Sequence, residues 1–239
     1  MLENEKLENG LPVHAIEEQR AKYLEWWEAH GPTPAGLAWN KGKQAIRFDV
    51  LLDFFDLEGR NFLDVGCGCG DLNRAIEFTT ANYHYHGLDI TEPYLEEARR
   101  RYPGDHVTFQ LGEFLGSSLS QDFDLVLASG TFNFAMDGID QYECLRTNME
   151  KMFRLSSEGI ALDMLSDQVN FQREGSLYYS PMKVLEIALS LSRNVQIRHD
   201  YLPFEFAIAV FKDDSFDEQS TIFMRHIRRK RSLVEAGIL

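Results

Sequence analysis

Hydrophobic positions change between strand spacing and helical spacing along most of the chain. Short apolar runs alternate with longer segments in which apolar residues recur every three or four positions, the spacing of one helix face. The runs predict strands at 61–65, 83–90, 106–111, 123–129 and 159–165. The segments between and after them predict helices from Asp71 to Phe78, from Leu95 to Tyr102, from Tyr142 to Met152 and from Pro181 to Leu191. Because strands joined by crossover helices pair in parallel, this pattern predicts an α/β fold whose mostly parallel sheet is covered on both faces.

Both ends of the chain depart from this alternation. Two strand-like runs at 194–199 and 204–212 are joined by a short connection, which predicts a C-terminal antiparallel hairpin. Ahead of the first strand, helical stripes at 15–29 and 43–57 flank a break at 30–36 that contains two prolines and two glycines. We therefore expect a seven-stranded sheet that ends in a hairpin and is preceded by a helical cap.

The composition limits the class of protein. A chain of 239 residues can form one α/β domain with an added cap. Its 44% hydrophobic and 26% charged residues are typical of a soluble globular protein. No apolar run reaches the roughly 18–20 residues needed to cross a bilayer, and the acidic first residues do not resemble a secretory signal. Cys67, Cys69 and Cys144 are too few for a disulfide framework, and the first two lack further ligands for a metal. We expect a cytoplasmic protein with no membrane segment and no metal.

The charge distribution opposes general binding to nucleic acid. The formal net charge is −14, so phosphates would be repelled. The exception is a basic cluster at 225–231, RHIRRKR. Such a cluster usually contacts solvent or the protein's own acidic surface, but it could also dock RNA or another anionic partner. The sequence leaves the oligomeric state open, a homo-oligomer included.

A glycine-rich turn follows the first strand, in the stretch FLDVGCGCGDL at 62–72. The turn has the spacing GxGxG and no following lysine, whereas a triphosphate-binding loop requires GxxxxGK[ST] and a dinucleotide site requires GxGxxG. Asp64 and Asp71 flank the glycines. Two neighbouring carboxylates would repel a pyrophosphate but would attract a ligand that carries an ammonium and a sulfonium.

This stretch resembles the first motif, [DE]xGxGxG, of the class I S-adenosylmethionine-dependent methyltransferases, and the resemblance covers about residues 45–212. Asp89 ends the second strand, where the family has an acid that accepts hydrogen bonds from both ribose hydroxyls. Glu113 follows the third strand, where the family often has an acid near the adenine amino group and an apolar neighbour against the ring. Taken singly, Asp89 could also be a helix cap, Glu113 a surface acid and the glycines only a tight turn.

The resemblance implies a Rossmann-like, doubly wound fold with S-adenosylmethionine as cofactor. It divides the chain into a helical cap at 1–45, a cofactor-binding methyltransferase domain at 46–213 and a tail with the basic cluster at 214–239. The cofactor-binding residues that it implies are Asp64, Gly66, Cys67, Gly68, Gly70, Asp89, Ile90, Gly112, Glu113, Phe114 and Ser129.

The methyl acceptor is less explicit in the sequence. The fourth strand is followed by SGTFNF rather than by the [DN]PP[YF] of the family's DNA-amino enzymes, so we expect a small-molecule acceptor and transfer to a hydroxyl oxygen. His199, followed by Asp200, is the candidate general base, although a histidine bonded to the hairpin backbone is the alternative. The candidate substrate-binding residues are Trp39, Asn133, Tyr178 and Tyr179.

Segments at both ends of the domain also resemble bacterial small-molecule methyltransferases, some of which act in surface-glycan or natural-product biosynthesis. Arg47 is a candidate partner for the cofactor carboxylate. Three alternatives stay open: an RNA or protein methyltransferase that docks through the basic cluster, a binding module without catalysis, and a nicotinamide-dependent dehydrogenase.

Overall fold

A seven-stranded sheet forms the centre of the molecule. The computed structural model describes residues 10–37, 43–119 and 123–228. The strands are β1 (Arg60–Val65), β2 (Tyr83–Asp89), β3 (Val107–Leu111), β4 (Phe123–Ser129), β5 (Ser156–Leu165), β6 (Val195–Leu202) and β7 (Glu205–Phe211). Their order is β3-β2-β1-β4-β5-β7-β6. The first five strands pair in parallel, and β7 is antiparallel to both β5 and β6. The predicted doubly wound sheet with a C-terminal hairpin is confirmed.

Helices cover both faces of the sheet. They are α1 (Val13–His30), α2 (Gln44–Leu52), α3 (Asp71–Thr79), α4 (Glu92–Arg101), α5 (Gln141–Leu155) and α6 (Pro181–Leu191), with a 3-10 turn at Pro34–Leu37. Successive residues of the central strands point to opposite faces, so that Leu63 packs with apolar side chains of α5 and α6 while Phe62 packs with those of α2, α3 and α4. Two hydrophobic cores therefore hold the sheet, which explains the apolar runs within its central strands.

The helix predicted at 43–57 is shorter in the structure. It ends at Leu52, and the chain then turns toward β1. Phe54 and Leu57 lie in this turn and are buried in the same core as Phe48. Both side chains are apolar because they are buried in the core, although they lie beyond the end of the helix. The apolar pattern therefore continues past Leu52, and the predicted helix was too long.

The tail contains a second, two-stranded sheet that the sequence pattern did not indicate. Its strands are β8 (Phe216–Asp217) and β9 (Ile222–Phe223), which pair in antiparallel register. Strands of two residues are too short to produce a recognisable alternation. The described part of the basic cluster follows directly, and it contacts the domain: Arg225 donates to the Phe54 carbonyl at 2.6 Å, and Arg228 lies 3.1 Å from the Asp213 carboxylate.

Within the described ranges, no helix combines the length and the apolar character that crossing a bilayer would require. The same ranges contain no group of three or more histidine, cysteine, aspartate or glutamate side chains that could hold a metal ion.

Candidate active site

A cleft of about 310 Å³ lies at the carboxyl ends of the parallel strands. This edge is where open α/β sheets bind their ligands. The cleft extends from the glycine turn after β1, past the ends of β2 and β3, to the loops after β4 and β5 and to the start of β7. Tyr23 and Trp26 of α1 and Leu37 of the 3-10 turn form part of its wall. The N-terminal segment therefore lies over the ligand-binding edge of the sheet.

The glycine turn brings backbone N–H groups to one end of this cleft. Gly66, Gly68 and Gly70 have φ values of 73°, 54° and 76°, a region that favours glycine. A Cβ on Gly66 would lie 2.6 Å from the side chain of Thr131, whose hydroxyl donates to the Val65 carbonyl at 2.7 Å. The turn therefore needs glycine at position 66 both for its conformation and for its close approach to the loop after β4.

Asp89 connects the glycine turn to the end of β2. Its carboxylate accepts the backbone N–H of Gly68 at 2.9 Å and that of Thr91 at 2.8 Å, and it is only 8% exposed. Burial raises the pKa of this carboxyl, while the two amide bonds act in the opposite direction. The adjacent Ile90 carbonyl accepts a hydrogen bond from Arg20 of α1 at 3.0 Å. Asp89 and Ile90, two of the predicted cofactor-binding residues, therefore lie where α1 contacts the cleft.

Asp64 gives the same end of the cleft a negative potential. The side chain is buried and accepts a hydrogen bond from the Tyr85 hydroxyl at 2.6 Å. The pKa of Asp64 is raised to about 7, mainly by burial; the Tyr85 bond lowers it, and the charges of Asp89, Asp163 and Asp71 act in the same direction as burial. A cation in the cleft would stabilise the ionised carboxylate, so this end is suited to a positively charged ligand.

Glu113 lines the cleft but is also a loop cap. One carboxylate oxygen accepts the N–H of Leu115 at 2.8 Å, and the other accepts the N–H of Gly116 at 2.6 Å. Gly112 and Phe114 line the cleft beside it. The predicted adenine-side residues are therefore together, and the carboxylate of Glu113 has a structural role in holding this loop.

Three of the four predicted substrate-binding residues line the cleft, at the loops after β4 and β5. The Asn133 carboxamide oxygen accepts the N–H of Leu165 at 2.9 Å, the Tyr178 hydroxyl accepts the N–H of Arg173 at 3.0 Å, and Tyr179 is buried. Ser129, a predicted cofactor-binding residue, also lines the cleft, and its hydroxyl donates to the Asp163 carboxylate at 2.6 Å. Trp39 lies outside the described residues.

The structure does not bring His199 to this cleft. The residue lies on β6, at the outer edge of the sheet, where it is exposed. The neighbouring Asp200 does not orient its ring, because both carboxylate oxygens accept hydrogen bonds from Arg198, at 3.0 and 3.2 Å. The geometry therefore does not support the predicted role of His199 as a base. Among the described residues that line the cleft, none is a histidine.

A buried ion pair that sequence reasoning did not identify lies in the acceptor half. Arg47 of α2 donates through Nε to the carboxylate of Glu205, the first residue of β7, and both residues line the cleft. Arg47 was predicted to meet the cofactor carboxylate, but in the structure it binds Glu205. One sequence signal was available: Glu205 is the only charged residue in the otherwise apolar run FEFAIAVF at 204–211.

Comparison with known proteins is consistent with this geometry. Residues 62–154 match the family model described as a methyltransferase domain. A curated relative, the malonyl-[acyl-carrier protein] O-methyltransferase of Acetivibrio thermocellus, is 32% identical over 92 residues. That alignment covers 37% of this chain, and the chain spans about a third of the relative's length, 32%.

Solved structures share the fold over most of the chain. Magnesium protoporphyrin IX methyltransferase from Synechocystis PCC 6803, with bound S-adenosylhomocysteine, aligns with a TM-score of 0.61 at 13% identity, covering 82% of this chain and 96% of that one. A S-adenosylmethionine-dependent methyltransferase from Aquifex aeolicus aligns with a TM-score of 0.54 at 16% identity, covering 73% and 95%. At these identities the likeness establishes the fold, and the family model identifies its central part. Residues 62–154 are therefore similar to the methyltransferase domain family, and they lie within a fold shared with S-adenosylmethionine-dependent methyltransferases.

Proposed function

We propose that the chain transfers a methyl group from S-adenosylmethionine to a hydroxyl oxygen of a small molecule. The cleft carries this proposal: it joins a negatively charged, glycine-lined end to a second end built from the loops after β4 and β5. When bound, S-adenosylmethionine supplies a methyl group on a positively charged sulfur. An in-line transfer of this kind depends strongly on how donor and acceptor are positioned.

The residues at the first end fit the chemical groups of this cofactor. Asp89 presents a buried carboxylate at the end of β2, which would accept the ribose hydroxyls. Asp64 would favour the positive charges, and Gly66 and Gly68 line the cleft beside it. Gly112, Glu113 and Phe114 would border the adenine. We further propose that the cap of residues 1–45 shields the reacting groups from water, since α1 forms part of the cleft wall.

The second end supports a small acceptor. It is bordered by α1, by α2 and by the loops after β4 and β5, which together form a concave surface for a small ligand. Asn133, Tyr178 and Tyr179 supply polar and aromatic surface there. The curated relative is an O-methyltransferase, which supports oxygen as the accepting atom.

The contacts of the tail argue against macromolecular docking through its first residues. Arg225 and Arg228, within the described part of the basic cluster, already contact the domain. The other basic residues of the cluster can be tested by replacing Arg229, Lys230 and Arg231 with alanine, which leaves Arg225 and Arg228 in place. Small-molecule turnover should survive in this variant, whereas an enzyme that docked RNA or protein through the tail would lose its activity.

The three buried free cysteines support action in a reducing compartment such as the cytoplasm.

The direct test is a product assay for S-adenosylhomocysteine across sugar nucleotides, phenols, carboxylic acids and amines. We expect turnover with hydroxyl compounds. Turnover confined to amines would contradict the proposed acceptor atom. Micromolar binding of S-adenosylmethionine without turnover on any acceptor would favour a non-catalytic binding module.

A further inference from the structure

The carboxylate of Glu205 is placed differently from the other carboxylates of the cleft. Its side chain is 10% exposed, and that exposure is toward the acceptor half of the cleft, which it lines together with Phe204 and Leu165. Of the two carboxylate oxygens of Glu205, Oε2 is the one that accepts the hydrogen bond from Nε of Arg47. Within the described part of the chain, Oε1 accepts no hydrogen bond. One carboxylate oxygen is therefore held, and the other is available to a ligand.

The other three cleft carboxylates are already committed to the fold. Asp89 and Glu113 each use both oxygens to accept backbone N–H groups. Asp64 accepts from the Tyr85 hydroxyl and lies at the glycine turn, where a cationic ligand would need its charge. Among the carboxylates that line the cleft in the described ranges, only Glu205 both lies in the acceptor half and has an oxygen that accepts no hydrogen bond.

Glu205 lies among other charged groups at this end of the cleft. Arg47 is the cation, while Glu205 and Asp163 are two carboxylates that interact with it and with each other. Burial raises the pKa of Asp163 to about 6, and the Arg47 charge and the Ser129 hydrogen bond act against this effect. The Tyr201 hydroxyl also lies in this field, and burial raises its pKa so that it remains neutral. Among the described residues, this cluster therefore contains one cation, Arg47, and two carboxylates, Glu205 and Asp163.

We propose that Glu205 is the general base that removes the proton from the acceptor hydroxyl, with Arg47 as the residue that positions it; this inference rests on the proposed function. The hydroxyl proton passes to Oε1 of Glu205 as the acceptor oxygen forms its bond to the methyl carbon. The electron pair of the carbon–sulfur bond goes to sulfur, which departs as a neutral thioether. The buried cluster then holds one positive and one negative charge, so the step leaves no unpaired charge behind.

The test compares three variants with the wild type, using a hydroxyl acceptor found in the product assay. Glu205→Gln keeps the size of the side chain and removes the base, so kcat should fall by about 10²- to 10⁴-fold, the usual contribution of general base catalysis. Glu205→Asp keeps a carboxylate and should recover part of the rate. Glu158→Gln is the matched control: it also loses the acid of an Arg–Glu pair, with Arg60 at 3.0 Å, but it lies at the opposite end of β5 and should behave as wild type.

Two further readouts separate a base from a structural residue. The Glu205→Gln defect should shrink as the acceptor hydroxyl becomes more acidic, because a more acidic hydroxyl needs less help in losing its proton. S-adenosylhomocysteine affinity should be similar in the wild type and in Glu205→Gln, which would show that the variant retains a folded site.

The outcomes distinguish this inference from the proposed function. If the wild type produces no S-adenosylhomocysteine with any hydroxyl acceptor, the proposed function fails and the role of Glu205 fails with it. If the wild type turns over but Glu205→Gln has the same kcat, only the role of Glu205 is overturned. A defect of equal size for weakly and strongly acidic hydroxyls would likewise leave Glu205 as a structural residue.

Discussion

Replacing Asp89 by alanine should weaken S-adenosylmethionine binding and also destabilise the free protein. The carboxylate accepts the N–H groups of Gly68 and Thr91, at 2.9 and 2.8 Å, inside a buried site. Each amide that loses its partner costs about 1–3 kcal/mol if it stays buried. Part of this cost is offset, because the raised pKa of Asp89 shows that burying its charge is itself unfavourable. The free energy of unfolding should therefore fall by less than the two amide bonds alone would suggest.

The effect on binding is separate from the effect on stability. Asp89 would accept the ribose hydroxyls, and losing a buried polar partner for them costs about 1–3 kcal/mol. This corresponds to a roughly 5- to 150-fold increase in Kd, since about 1.4 kcal/mol is a factor of ten. Asp89→Asn, which keeps one accepting oxygen, should fall between the wild type and the alanine variant.

Isothermal titration calorimetry with S-adenosylmethionine and S-adenosylhomocysteine measures this change directly, and thermal unfolding of the free proteins measures the stability. Asp124→Asn is the control, because Asp124 also accepts a backbone N–H, that of Asn61 at 2.8 Å, but lies at the start of β4 and does not line the cleft. It should bind the cofactor with near wild-type affinity. An Asp89→Ala protein that remains folded and binds as tightly as Asp124→Asn would refute the assignment of Asp89 to the cofactor site.

Three further changes test other parts of the structure. The pKa of Asp64 is raised to about 7, and a bound cation favours its ionised form. Affinity for S-adenosylmethionine should therefore fall as the pH drops below about 7, by up to about tenfold per pH unit. In calorimetric titrations, Asp64→Asn should flatten this pH dependence. Gly66→Ala should abolish cofactor binding and lower the melting temperature, because the new Cβ would meet Thr131. Gly138 is the control, since it has a similar φ of 74° and its Cβ would meet no atom within 4 Å. Gly138→Ala should keep cofactor binding and lose only about 1 kcal/mol of unfolding free energy in denaturant titrations. Arg225→Ala should lower the unfolding free energy by about 1–2 kcal/mol through loss of its carbonyl bond and its contact with an aromatic ring, while kcat stays unchanged; a large loss of turnover would instead indicate a functional tail.

The sheet could be predicted from the sequence because its central strands are buried on both faces. Runs such as 123–129 contain almost no polar residues, and the structure places this strand at the same bounds. The glycine spacing and the acids at 64 and 89 are local signals, which explains why they predict the cofactor end of the cleft. The end of the helix near Leu52 was not predictable, because Phe54 and Leu57 are buried in the hydrophobic core and so continue the apolar pattern beyond the helix.

The acceptor half depends on contacts between distant parts of the chain. Arg47 and Glu205 are 158 positions apart and meet only because α2 lies beside the start of β7. His199, by contrast, looked suitable because an acid follows it, yet that acid is held by Arg198. Adjacency along the chain indicates little about which polar groups meet across a sheet edge. The pairing of side chains from separate elements therefore had to come from the fold.

The most direct test of the account follows the methyl group itself. The full chain is incubated with methyl-labelled S-adenosylmethionine and a mixture of small hydroxyl compounds together with RNA and protein, and the label is then recovered by size and identified by mass spectrometry. We predict that the label appears in a small methyl ether, in an amount equal to the S-adenosylhomocysteine formed. Label found only in RNA or protein, or binding of the cofactor with no S-adenosylhomocysteine above the enzyme-free background, would contradict the account.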